Sequence, residues 1–156
     1  MTDKPETDAP RKQNNRTVGR YGEDAACAWL EQHGYRIVGR NVYAAGCEAD
    51  ILAENDTHFV FVEVKTRREN PASPDRFGRP ANAVTPSKRT HMLTMAKAYL
   101  KEHPEILQHR SPRLDVLEVY LSPALSPDDP DAVLAVEHFP DAVREKPNYA
   151  RVRNYK

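Results

Sequence analysis

The chain has 156 residues, a formal net charge of +0 and 39% hydrophobic residues, which fits one domain with a compact core. Its mean hydropathy is -0.76, and no run approaches the ~18 apolar residues that a membrane-spanning helix needs. The N-terminus lacks the apolar segment of a secretion signal, and Cys27 and Cys47 form no C-x-x-C pair. We therefore expect a reduced, cytoplasmic protein with no membrane partner.

Charge is unevenly distributed along this neutral chain. Seven basic and two acidic residues lie between Lys65 and Arg89, a net charge of +5, whereas residues 122–141 carry five acidic and no basic residues. The asymmetry favours either a polarised surface that attracts a charged partner or two solvated loops of opposite sign.

The first half of the chain predicts one helix and three strands. Residues 1–15 are polar and lack periodicity, so we expect a disordered leader. From Thr17, apolar residues recur at helical spacing until Gly34, which is typical of a helix end. Three segments with strand composition follow, at residues 35–42, 47–53 and 58–65. The polar residues 54–57 predict that the second and third strands form a hairpin.

The second half predicts a helix and two more strands. Thr85 and Pro86 are typical of an N-cap and a first helical position, and the helix should end before Pro104. Alternating apolar residues predict strands at 113–121 and 133–139. We expect a single domain over residues 16–143, followed by a flexible basic tail at 144–156. The element order predicts an α/β fold, a mixed sheet flanked by helices.

The strand at 58–65 is the most apolar run of the chain, yet it contains Glu63 and Lys65. Because strand side chains alternate between faces, these two share one face where the strand leaves the core. Apolar residues on both faces of the rest of the run indicate a central strand covered on each side. A surface ion pair of little energetic weight is the alternative interpretation.

The preceding strand carries two acids, Glu48 and Asp50, which alternate with Ala49 and Ile51. Closure of the hairpin places Asp50 level with Glu63. Two carboxylates at such a short distance repel each other unless a cation or a proton lies between them. Carboxylate oxygens are suitable ligands for Mg²⁺ or Mn²⁺. With Lys65, this set is typical of phosphodiester hydrolysis. The solvent face of a half-buried hairpin is the alternative.

The first helix contributes a third acid, Glu23, which follows Gly19 and Gly22. A glycine inside a helix costs about 1 kcal/mol relative to alanine. Close approach of the helix backbone to a partner, with Glu23 pointing into the site, is one explanation. A loose first turn with an ordinary surface glutamate is the other.

Asp50 followed by Glu63-Val64-Lys65 resembles the PD-(D/E)xK nuclease superfamily, which includes restriction endonucleases and archaeal Holliday junction resolvases. More closely, the chain is similar to the YraN-like family of uncharacterised bacterial proteins. The matching segments are GRYGEDAACAWLEQHGYRIVGRN (19–41), CEADILA (47–53), FVFVEVKTR (59–67), RFGRPANAVTPSKRTHMLTMAKAYL (76–100) and RLDVLEV (113–119). The G-E-I-D-L-I segment usual in the family reads CEADIL here.

The resemblance implies a restriction-endonuclease-like αβββαβ core. It implies that Asp50 and Glu63 bind a metal ion, Mg²⁺ or Mn²⁺, and that Lys65 acts in catalysis. Glu23 would complete the acidic set, and we add Glu48 as an accessory acid.

Our leading hypothesis is a metal-dependent endonuclease that acts on DNA, with branched DNA as one candidate substrate. The residues expected to bind the phosphate backbone are Arg67, Arg68, Arg76, Arg79, Lys88 and Arg89. A symmetric substrate would call for a homodimer. Two alternatives remain open: a non-catalytic nucleic-acid-binding or assembly factor on the same scaffold, and a partner-binding protein that acts through residues 122–141.

Overall fold

The computed structural model describes residues 15–72 and 84–145 of the chain. Its elements are α1 (Asn15–Gln32), β1 (Arg36–Ala44), β2 (Cys47–Glu54), β3 (His58–Arg67), α2 (Pro86–Glu102), a short 3₁₀ helix (Pro104–Gln108), β4 (Ser111–Leu121) and β5 (Val133–Phe139). This order confirms the predicted helix, three strands, helix and two strands. The predicted leader up to residue 14 and the predicted tail from residue 146 lie outside the described residues. Within the described part, no helix is long and apolar enough to cross a membrane.

The five strands form one mixed sheet in the order β1-β2-β3-β4-β5. β3 and β4 pair in parallel, from His58 opposite Ser111 to Arg67 opposite Tyr120, and the other neighbouring strands pair antiparallel. A parallel pair needs a crossover connection, and α2 lies in it. The predicted α/β fold with a mixed sheet flanked by helices is thereby confirmed, with β3 at the centre of the sheet.

Two hydrophobic clusters hold β3 from its two faces. Val60 and Val62 belong to the cluster that α1 covers, whereas Phe59 and Phe61 belong to the cluster that α2 covers. All four side chains are at most 2% exposed, and burial of each contributes about 1.5–3 kcal/mol relative to exposure. β3 is therefore held firmly up to the point where Glu63 follows.

Turn residues determine where the strands end. Between β1 and β2, Ala45 and Gly46 have φ values of 50° and 72°, the left-handed region that a tight hairpin turn uses. β1 therefore continues to Ala44, beyond its predicted end at Val42. In the predicted turn between β2 and β3, Asn55 Oδ1 accepts hydrogen bonds from two following backbone N–H groups at 3.0 and 2.7 Å.

The two glycines of α1 have different surroundings. A Cβ atom on Gly22 would lie 1.8 Å from Oγ1 of Thr66 on β3, whereas a Cβ atom on Gly19 would meet nothing within 4 Å. Close approach of the helix backbone therefore accounts for Gly22, and the partner that it approaches is β3 of the same chain. This packing does not account for Gly19.

We predict opposite effects of alanine at these two positions. Gly22→Ala should lower the free energy of unfolding by about 1–3 kcal/mol, because the new methyl group overlaps Thr66. Gly19→Ala should raise it by up to about 1 kcal/mol, because alanine favours the helix and has room. Urea denaturation of both variants and the parent protein measures the difference. Equal effects of the two substitutions would contradict the packing described here.

A buried carboxylate fastens β5 to β4. Asp115 is 0% exposed and accepts hydrogen bonds from Arg113 Nε at 2.8 Å, His138 Nε2 at 2.7 Å and the backbone N–H of Asp141 at 2.9 Å. Burial on its own raises the pKa of Asp115, but these hydrogen bonds, first that from His138 and then that from Arg113, hold the pKa below its usual value. The ionised carboxylate is therefore part of the folded structure.

We predict that Asp115→Ala destabilises the protein by about 3–5 kcal/mol, because the partly buried Arg113 and His138 then lose the carboxylate that accepts their hydrogen bonds. Since the pKa of Asp115 is lower in the folded than in the unfolded chain, its stabilising contribution is present above about pH 4 and is lost as the pH falls. Denaturant unfolding at neutral and acidic pH tests both points. A variant as stable as the parent at neutral pH would contradict the first.

Candidate active site

β2 and β3 separate where the predicted acids lie. Their pairing runs from Glu54 opposite Phe59 to Ile51 opposite Val62 and ends there. One residue further, Asp50 Oδ2 accepts a hydrogen bond from the backbone N–H of Val64 at 2.8 Å. A side-chain carboxylate thus takes the place of a strand carbonyl and satisfies the N–H group that the separation leaves without a β2 partner.

The separation brings the carboxyl groups of Asp50 and Glu63 together. Burial, and then the negative charge of Glu63, raise the pKa of Asp50 to about 7, against the hydrogen bond from Val64 and the positive charge of Lys88, which lower it. Glu63 itself is only 9% exposed. Two carboxyl groups in such a site retain a proton near neutral pH unless positive charge compensates them.

Lys88 provides part of that positive charge. Its Nζ atom lies 3.0 Å from Glu63 Oε1, and the first turn of α2 carries it there, because Thr85 caps the helix by accepting a hydrogen bond from the N–H of Lys88 at 3.2 Å. Burial on its own lowers the pKa of Lys88, but the hydrogen bond to Glu63 and the acidic charges raise it above its usual value. We predicted Lys88 as a phosphate-binding residue; the structure brings it to the acidic pair.

Lys65 lies opposite Glu118 in the register of β3 and β4. Burial holds the pKa of Lys65 below its usual value, although the charge of Glu118 raises it. Glu118 is 1% exposed, accepts a hydrogen bond from the hydroxyl group of Tyr120 at 2.6 Å, and lies 3.4 Å from Arg67 Nη2. Glu118 was not predicted as a site residue, although it shares with Glu63 the signal of an acid inside an apolar strand.

Glu23 approaches the pair from α1. Burial, and then the charge of Asp50, raise the pKa of Glu23, while Arg40 lowers it. Arg40 Nη2 lies 3.5 Å from Glu23, and its Nη1 atom lies 2.7 Å from Asp24. Glu23 is therefore near enough to influence Asp50, and Arg40, which was not predicted, holds it in an ion pair.

Glu48 lies at the margin of the site, where it accepts a hydrogen bond from the hydroxyl group of Tyr43 at 2.9 Å. One detail of the predicted alternation is wrong here. Ala49 packs in the cluster under α2, whereas Ile51 packs in the cluster under α1, so these residues do not share a face. The pairing between β2 and β3 ends at Ile51. Between Asp50 and Cys47, β2 therefore has no ladder with β3 to maintain its regular pleat.

Three of the predicted backbone-binding arginines make contacts within the protein. Arg67 pairs with Glu118, Arg68 donates a hydrogen bond to the carbonyl oxygen of Leu125 at 2.9 Å, and Arg89 donates one to a backbone carbonyl at 3.4 Å. Arg76 and Arg79 lie outside the described residues. A role of these side chains in binding nucleic acid stays a prediction.

The donor set fits a hard divalent cation held by two carboxylates. In residues 15–72 and 84–145, no group of three or more His, Cys, Asp or Glu side chains could hold a metal ion. Asp50 and Glu63 nevertheless provide adjacent oxygen donors, and burial together with the charge of Glu63 raises the pKa of Asp50. Mg²⁺ is commonly bound through one or two carboxylates, and water molecules complete its coordination.

The αβββαβ order, the central strand and the acidic pair at its end define an α/β protein with a restriction-endonuclease-like core. Residues 22–119 match the uncharacterised protein family UPF0102, and the chain belongs to this family, which confirms the expected family membership.

Curated relatives cover most of the fold. A UPF0102 protein of Syntrophomonas wolfei is 40% identical over 105 residues, which are 67% of this chain and 85% of the relative. One of Clostridium perfringens is 38% identical over 108 residues, 69% of this chain and 83% of the relative. One of Geobacter sulfurreducens is 38% identical over 129 residues, 83% of this chain and 90% of the relative.

We predict that Asp50→Asn stabilises the metal-free protein. Because the folded pKa of Asp50 is about 7 and its unfolded value about 3.9, ionised Asp50 costs stability above pH 7, and the cost disappears as the pH falls towards 4. Asparagine removes this cost, so at about pH 8 the free energy of unfolding should rise by at least about 1 kcal/mol.

Calorimetric unfolding with a chelator at about pH 8 and about pH 5 tests this dependence. Asp56→Asn, in the exposed turn between β2 and β3, is the matched control and should change little at either pH. A gain for Asp50→Asn that is equal at both pH values would contradict the proton linkage.

Proposed function

We propose that this protein is a divalent-cation-dependent nuclease that hydrolyses phosphodiester bonds in DNA. The observation that carries the proposal is the pair of adjacent carboxyl groups of Asp50 and Glu63, with Lys65 two residues beyond Glu63 on the same central strand. Two acids and a lysine at the end of a strand held on both faces suit phosphoryl chemistry, because this chemistry depends on positioned charge.

Asp50 and Glu63 would hold Mg²⁺ or Mn²⁺, and the bound ion would supply a Lewis acid next to the scissile phosphate. The hydrogen bond from Val64 fixes one oxygen of Asp50, so this ligand loses little freedom when the site is loaded. The apolar clusters on both faces of β3 keep Glu63 beside it. The chain thus pre-orients both acids before any substrate arrives.

Lys65 would act on the phosphate. As the oxygen of a water molecule forms its bond to phosphorus and the bond to the leaving oxygen breaks on the opposite side, negative charge builds on the phosphate oxygens. A lysine ammonium group beside them offsets this charge. Burial leaves the pKa of Lys65 below its usual value, and the negative charge of Glu118, opposite Lys65 on β4, would favour the charged ammonium form by opposing this effect.

The basic residues around the same strand end would bind the DNA backbone. Arg67 and Arg68 lie two and three residues after Lys65, and Arg89 lies in the first turns of α2. Phosphate contacts of this kind give affinity that falls with salt and depends little on sequence. Branched DNA is one substrate compatible with such binding, and a homodimer would suit a symmetric one.

A second candidate is a non-catalytic nucleic-acid-binding factor on the same scaffold. The observation that favours it is the ion pair between Lys88 and Glu63. This ion pair neutralises one acid of the site without a metal ion. In this case the arginines would carry the function, and the acidic pair would be part of the fold.

We predict cleavage of at least one DNA substrate in a panel of single-stranded, duplex and four-way forms with Mg²⁺ or Mn²⁺. Lys65→Ala should reduce the rate by about 100-fold or more, because the charge that it supplies is needed in the transition state, while leaving Mn²⁺ binding intact. Glu63→Gln should reduce both rate and Mn²⁺ binding. Glu102→Gln, at the exposed end of α2, is the control and should behave as the parent.

The outcomes separate the two candidates. If the protein binds no Mn²⁺ and leaves the whole panel intact, the nuclease proposal is lost. DNA binding that survives Glu63→Ala but disappears when Arg67 and Arg68 are neutralised would then support the binding factor.

A further inference from the structure

Lys88 reaches the acidic pair from an element that otherwise has no part in it. Asp50 and Glu63 belong to the sheet, whereas Lys88 belongs to the first turn of α2, which packs over one sheet face. Its Nζ atom lies 3.0 Å from Glu63 Oε1, and the charges of Asp50 and Glu48 act on it as well. Lys88 is therefore directed at the centre of the negative charge.

The charges of the site are incompletely balanced by this lysine. When both carboxyl groups are ionised they carry two negative charges, and Lys88 compensates one of them. A divalent cation would compensate both. If the cation bound while the ammonium group stayed in place, two positively charged centres would share Glu63 at short range, which is unfavourable in a partly buried site.

The ammonium group of Lys88 can also move from the site into solvent. Its side chain is 39% exposed, whereas that of Glu63 is 11% exposed. A lysine has a flexible four-carbon stem and a strongly hydrated head, so the ammonium group can move into solvent without moving the helix. The cap formed by Thr85 keeps the backbone of Lys88 in place while this happens.

We propose that Lys88 is an internal counter-ion that competes with the divalent cation for Asp50 and Glu63. This inference rests on the proposed function, because it concerns the cation that the two acids would hold. Lys88 stabilises the cation-free protein and at the same time weakens cation binding, so the site loads only when the cation displaces the ammonium group.

Removal of the charge should therefore change two measurements in opposite directions. In Lys88→Gln, the midpoint of thermal unfolding in a chelator should fall, because Glu63 loses its partner. The same variant should bind Mn²⁺ at least about tenfold more tightly in calorimetric titrations, because no ammonium group has to leave. Lys88→Arg keeps the charge and should resemble the parent in both measurements.

Lys97→Gln is the matched control. Lys97 lies on the same helix, is exposed, and pairs with Glu145. Its replacement also removes one positive charge from α2, and it should leave the affinity for Mn²⁺ unchanged. A general effect of net charge would instead appear equally in Lys88→Gln and Lys97→Gln, and that result would overturn the proposal.

A measurement on the parent protein avoids dependence on any variant. Lysine acetylation by an amine-reactive reagent, followed by mass spectrometry, reports how accessible each ammonium group is. Addition of Mn²⁺ should raise the acetylation rate of Lys88 several-fold and leave that of Lys97 unchanged. An unchanged or slower rate at Lys88, in protein that binds Mn²⁺, would contradict displacement.

The failure of this inference can be distinguished from that of the proposed function. If the parent and Lys88→Gln bind Mn²⁺ with equal affinity, or the variant binds more weakly, the counter-ion role is wrong and the cation site stands. If neither the parent nor Lys88→Gln binds Mn²⁺, both proposals fall. Binding by Lys88→Gln alone would support the counter-ion role most strongly.

Discussion

The hydrogen bond from the backbone N–H of Val64 to the carboxylate of Asp50 is the interaction on which the site depends. Where two strands part, a main-chain donor loses its partner, and such a donor is costly to leave unpaired when it is removed from water. Asp50 satisfies the donor and thereby comes to lie beside Glu63. The same hydrogen bond therefore satisfies the backbone donor and assembles the acidic pair. The repulsion between the two acids is the free-energy cost of this arrangement.

Strand pairing and packing around this point offset the free-energy cost of that repulsion. β3 loses β2 after Val62 but keeps β4, because the parallel pairing continues to Arg67. Two apolar clusters press on β3 immediately before the acids. The separation of β2 from β3 is thus confined to a few residues at one end of a well-packed sheet, where it accommodates the acidic pair without loosening the core.

Local sequence rules predict much of this structure. The apolar faces of β3 indicate a central strand, and the turn at Asn55 fixes a hairpin register that brings Asp50 to Glu63. The rules fail where packing between distant elements decides the outcome. The approach of Lys88 depends on how α2 lies on the sheet, and the faces of Ala49 and Ile51 were mispredicted because strict alternation assumes a ladder that continues. Glu118, in contrast, carried a usable signal that was overlooked.

The cap at Thr85 has an electrostatic consequence. Successive residues of a helix are rotated by about 100° around its axis, so the residue at which α2 begins decides which side chain points at the sheet. The hydroxyl group of Thr85 fixes that beginning three residues before Lys88. The uncharged hydroxyl group at the start of α2 thereby determines where a full positive charge lies, and with it the electrostatic potential at the acidic pair.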